Sequence, residues 1–121
     1  MNDLERIHTH LLNFPETTEE FPFGPEAAVY KVAGKMFAIL SPDDVPASMN
    51  LKCDPDRAIE LRDTHEAIIP GYHMNKRHWN TLHLDGSISN EFVEELIRHS
   101  FELVLAGHTR KVRDRIVWET D

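Results

Sequence analysis

The sequence predicts an α+β fold: a two-layer sandwich on an antiparallel sheet, in the order α-β-β-β-α-β-β-α. Three observations carry this prediction. Apolar residues recur with a helical period near both ends of the chain, they alternate or form short β-like blocks between, and tight-turn residues join the blocks as hairpins. The 121 residues fit a single domain, 1–121, since a chain of this size buries roughly two thirds of its unfolded surface.

Leu4, Ile7, Leu11 and Leu12 have the i, i+3, i+7, i+8 spacing of an amphipathic helix over 3–13, with Asn2 or Asp3 as its cap and Pro15 marking its end. Phe21-Pro22-Phe23-Gly24-Pro25 is too rich in proline for a central strand and reads as an edge or a shaped loop. Gly34-Lys35 then stands as a tight turn between strands at 27–33 and 36–41. Residues 47–53 alternate, with Ala47, Met49, Leu51 and Cys53 on one side and Ser48, Asn50 and Lys52 on the other, so Lys52 faces outward.

Asp54-Pro55 supplies a cap and a first helical position, and Ala58, Ile59 and Leu61 give that helix an apolar side as far as His65. Ile68-Ile69-Pro70-Gly71 is a short run closed by a turn, and a further strand runs from Trp79 to Leu84, stopped by Asp85-Gly86. The strongest helical pattern is 89–106, with Ser89 as cap, Gly107 as the C′ residue and Phe92, Leu96, Ile97, Ser100, Leu103 and Val104 as a wide stripe. A short basic helix is expected between Thr109 and Trp118.

Composition narrows the function. A formal charge of −8 argues against coating nucleic acid through bulk charge, because such binding comes from Lys and Arg replacing counterions on phosphate. The acid is unevenly spread: residues 1–66 hold 13 acidic and 6 basic side chains, residues 67–121 hold 8 and 7. One cysteine leaves no internal disulfide. No apolar run approaches a membrane span, and the start MNDLERIHTH carries charge where a signal peptide needs its apolar stretch, so a cytoplasmic protein without a membrane partner is expected.

The densest unusual segment is 71–83. It holds Lys76, Arg77, three histidines, Tyr72, Trp79, Asn75 and Asn80, and not one carboxylate. Arg and Lys can reach phosphate oxygens, Asn can bond a phosphate or a base edge, and Tyr or Trp can stack on a base. The plainer reading has Tyr72 and Trp79 packed on the core and Lys76, Arg77 and His78 on a solvated turn. His73, His78 and His83 recur every five residues, a spacing that suits neither one helical face nor one strand face, so no metal is expected. Cys53 reads as a buried structural thiol. No phosphate loop, nucleophile elbow or dinucleotide motif is present, so neither a cofactor nor an enzymatic activity is expected.

Several segments together resemble the MmcQ/YjbR family: Phe21-Pro22-Phe23-Gly24-Pro25-Glu26, Tyr30-Lys31-Val32 with Gly34-Lys35-Met36-Phe37-Ala38, Asn50-Leu51-Lys52-Cys53, His99 to Val104, and above all Pro70-Gly71-Tyr72-His73-Met74-Asn75-Lys76-Arg77-His78-Trp79-Asn80-Thr81. The resemblance spans about residues 4–115. It implies a small bacterial α+β domain similar to type III secretion chaperones and a DNA-binding role with a double-wing arrangement of loops. It also implies a signature on Lys52, His73, Asn75, Lys76, His78 and Trp79, with Arg77 in a variable slot. The leading expectation is therefore a protein that contacts the phosphates of double-stranded DNA through 71–83 and Lys52. The alternative is a non-enzymatic module for a protein or a small anionic ligand. Exposed Lys76, Arg77 and His78 on one convex patch would suit a duplex, and a concave pocket lined by Phe23, Tyr72 and Trp79 would suit a small ligand.

Overall fold

A computed structural model describes residues 1–116. The expected helix at the start is α1 (Leu4–Leu12), capped by Asp3, whose carboxylate accepts the Arg6 N–H. Ile7 and Leu11 are buried beneath it, but Leu12 turns outward, and Phe14, beyond the helix, fills the core in its place. A strand not anticipated follows, β1 (Thr17–Glu20). Its Thr-Thr-Glu-Glu carries no apolar signal. It lies at the sheet edge, held by its ladder and by side chains: the Tyr30 hydroxyl donates to Glu19 at 2.6 Å and Lys31 pairs with Glu20 at 3.0 Å.

The hairpin joins β2 (Ala28–Val32) to β3 (Lys35–Ser41). Ala33 and Gly34, with φ of 46° and 86°, form its centre, one residue earlier than the Gly34-Lys35 expected, because positive φ at both positions matches the strand twist. Next come β4 (Ser48–Lys52), α2 (Pro55–Thr64), β5 (Ile68–Pro70), β6 (Trp79–His83), α3 (Asn90–Ala106) and α4 (Arg110–Arg115). The observed order is thus α-β-β-β-β-α-β-β-α-α; the expected basic helix is α4, and Val117 and Trp118 fall outside the described residues. Ile59 of α2 was expected to face inward but is 54 % exposed, leaving Ala58 and Leu61 to anchor that helix.

The six strands lie in the order β1-β2-β3-β4-β6-β5, every neighbouring pair antiparallel. α3 packs across β2, β3 and β4, and α1 packs on α3 and β1, so the apolar core sits between the helices and one sheet face. An irregularity in the β2–β3 register makes Phe37 an extra residue on β3, and both Phe37 and Ala38 are fully buried in the core. Their neighbours Met36 and Ile39 face the opposite side of the sheet.

One buried hydroxyl ties the layers together. Ser100 of α3 donates to the Phe37 carbonyl at 2.6 Å and accepts the Lys52 N–H at 2.9 Å, beyond the last β3–β4 pair at Ala38 and Leu51. The neighbouring His99 accepts the Asp54 N–H at 3.2 Å, while the Asp54 side chain caps α2; burial, with Arg57 nearby, holds the His99 pKa below its ordinary value.

The register also sorts charge along the strands. The turn at 33–34, the ends of β4 at Lys52 and β6 at Trp79, and the 71–78 loop share one end of the sheet. α4 starts at this end too, since Lys35 donates to the Gly107 carbonyl and His108 contacts the Val32 carbonyl. At the other end lie the exposed acids Glu26, Asp43, Asp44 and Asp85. Acid is present at the first end as well: Glu16 pairs with Arg115, and Asp54 and Asp56 open α2 just beyond Lys52.

Candidate functional site

The segment 71–78 leaves β5 and returns to β6 through two successive turns. Gly71 donates to the Trp79 carbonyl at 2.8 Å and Met74 donates back to the Gly71 carbonyl at 3.2 Å. A side chain at position 71 would place its Cβ 2.8 Å from Trp79 Cβ and 2.9 Å from the Trp79 oxygen, so the residue between Pro70 and Tyr72 has to be glycine for the loop to close on β6. The second turn is built by Asn75. Its Oδ1 accepts the Arg77 N–H at 3.0 Å, and its carbonyl accepts from His78 at 3.1 Å and Trp79 at 3.0 Å.

The clasp on this loop comes from α2. Arg62 Nε donates to Asn80 Oδ1 at 2.7 Å, and its terminal nitrogen donates to the Lys76 carbonyl. Arg62 was not foreseen. Its partners lie 14 and 18 residues away, and no local spacing signals them.

The named residues therefore divide by what they do. Lys76 and Arg77 are exposed at the tip, and with Lys52 they make no ion pair among the described residues. Other cations are committed: Arg6 to Glu91 and Glu94, Lys31 to Glu20, Arg57 to Glu95, Arg115 to Glu16. Lys52 stands opposite Trp79 in the β4–β6 ladder, and the Cys53 N–H extends that ladder to the His78 carbonyl at 2.8 Å, which brings Lys52 to the foot of the loop. His73 is exposed, its backbone held at φ 60°, with its ring 4.0 Å from that of Tyr72. Asn75 and Trp79 shape the loop: Asn75 through its turn, Trp79 through its contact with Gly71. Cys53 is buried, and burial pushes its thiol pKa up, consistent with a structural thiol.

The sheet face away from the helices carries a groove of about 860 Å³. Phe23 lines it from the β1–β2 loop, Val45 and Pro46 from the β3–β4 loop, and Tyr72, His73 and Met74 from the β5–β6 loop. Met36, Ile39, Asn50, Thr81 and His83 contribute from the strands, and the carboxylate of Asp44 lines the end of the groove at the β3–β4 loop. Phe23 and Tyr72 thus line a concave site as one of the two expectations required, whereas Trp79 is not part of its lining. Across the floor the Tyr72 N–H donates to Thr81 Oγ1 at 3.0 Å, and that hydroxyl donates to Asn50 Oδ1 at 2.5 Å. The Asn50 amide nitrogen is left without a partner among the described residues. The ladder residues Asn50, Lys52, Trp79 and Thr81 share this sheet face, so the cationic tip and the groove form one continuous surface.

A family model described as YjbR matches residues 12–103. The YbdF protein of Escherichia coli O157:H7 is 36 % identical over 96 residues, 79 % of each chain. The YjbR protein of Escherichia coli K12 is 32 % identical over 77 residues, 64 % of this chain and 65 % of that one. Among solved structures, the Deinococcus radiodurans protein DR2400, a DUF419 domain, superposes with a TM-score of 0.88 at 37 % identity, covering 96 % of this chain and 88 % of its own. A Pseudomonas syringae protein superposes with a TM-score of 0.72 at 29 % identity, covering 85 % of this chain and 98 % of its own.

Proposed function

The chain belongs to the YjbR family, and from that premise and the charge geometry we propose that it binds DNA, using Lys52, Lys76 and Arg77 to contact phosphate. The observation that carries this reading is the pairing pattern. In a chain of net charge −8, these three cations gather at one end of the sheet with no carboxylate partner among the described residues, while the acids Asp43, Asp44 and Asp85 lie at the other. The unpaired cations offer a polyanion its contacts at this end, beside Asp54 and Asp56 at the start of α2, and the acids at the other end repel it from there. His73 and His78 flank the cations, and Asn75 holds the backbone that presents them. The loops at 21–27 and 71–78 wall the helix-free face on either side, in keeping with a double-wing arrangement.

Chemical-shift mapping of the ¹⁵N-labelled chain with a short DNA duplex tests this reading. Amide shifts are expected at Lys52 and from Tyr72 to Trp79. Shifts confined to the Asp43–Asp44 end, or none at low salt with either the duplex or one of its single strands, would overturn it. The concavity of the groove favours a second reading, a module for a small ligand; because its lining holds Asp44 and no lysine or arginine, an anionic one would sit at its mouth beside Lys52, where the same titration with inorganic phosphate would reveal it.

A further inference from the structure

We infer that the groove on the helix-free face takes an unpaired nucleobase, so that the nucleic acid bound best is single-stranded. This rests on the phosphate-binding reading above and deepens it. Tyr72 is 67 % exposed although it is a large aromatic, and it stands over the end of the groove that adjoins the cations. Phe23, 71 % exposed, stands over the far end. A duplex hides its base faces in the stack, whereas a single strand offers them to such rings.

The floor beneath Tyr72 is suited to a base edge. The hydrogen-bond run from the Tyr72 N–H through Thr81 to Asn50 fixes the Asn50 carboxamide by its oxygen and leaves its nitrogen as a donor in the groove. A nucleobase presents carbonyl and ring-nitrogen acceptors for it. Lys52 lies two residues along β4 from Asn50 on the same face, a separation of about 7 Å. That is the order of the distance from a base to its own phosphate, so one nucleotide could stack on Tyr72, meet Asn50 and place its phosphate among Lys52, Lys76 and Arg77. The groove volume of about 860 Å³ lies within the range of small-molecule pockets, ~300–1,000 Å³, and so has room for one nucleotide.

Fluorescence anisotropy with a labelled 12-mer as an intact single strand, the same strand made abasic at every position, and the duplex tests this. The intact strand is expected to bind about 5- to 150-fold tighter than the abasic strand, and tighter than the duplex. Tyr72→Ala should abolish that difference and Tyr72→Phe should keep it. Equal affinity for intact and abasic strands would overturn the base pocket while leaving phosphate binding in place. Absence of binding by all three at low salt would overturn both readings.

Discussion

Phe101→Ala is expected to lower the stability of the domain by about 3–5 kcal/mol, the range for deleting a fully buried phenyl ring. Phe101 has no exposed surface. It stacks on Phe14 at 4.5 Å with 22° between the rings, and meets Phe37 edge-on at 5.3 Å and 88°. Phe14 and Phe37 also meet each other edge-on at 5.9 Å, so three rings from the α1–β1 connection, the β3 irregularity and α3 close into one cluster. Truncating the central ring leaves a cavity bounded by all three elements, and small domains hold only about 5–15 kcal/mol in total. Urea unfolding gives the number; a loss under about 1 kcal/mol would contradict this account of the core.

Ser100→Ala is expected to cost about 2–4 kcal/mol although it removes a single oxygen. The hydroxyl serves the Phe37 carbonyl and the Lys52 N–H, and each group left unpaired out of water costs about 1–3 kcal/mol. Because Lys52 begins the departure from β4 toward the candidate site, the same change should raise amide exchange at Lys52 more than at Met49. Ser100→Ala at wild-type stability would show that the two groups find other partners.

Much of the fold was legible in the sequence because its signals are local. Asp3, Asp54 and Ser89 act as the caps their spacing implied, and the alternation of Ala47 to Cys53 reports the true faces of β4. β1 was illegible because Thr17 to Glu20 contains nothing apolar; its place comes from partners on β2. Ile59 misled because one apolar residue beside Ala58 says nothing about which side of a short helix faces the sheet.

The site was legible in part. Lys76 and Arg77 stood out within the acid-free segment 71–83 and Lys52 through the resemblance, and the structure adds that none of the three has an ion-pair partner among the described residues. Trp79, a strong signal by type, turns out to seat Gly71 rather than to line the groove. Arg62, Asn50 and Thr81 carried no signal as a set, since their connections cross from helix to loop and from strand to strand.

The salt dependence of DNA binding tests the central claim, that these three cations meet phosphate. With three contacts the slope of log K against log salt should be about −2.7 on a duplex and about −2.1 on a single strand, and it should fall toward about −0.9 and about −0.7 in the Lys76→Ala, Arg77→Ala double variant. An unchanged slope in the double variant, or no binding by the wild-type chain at low salt, would contradict it.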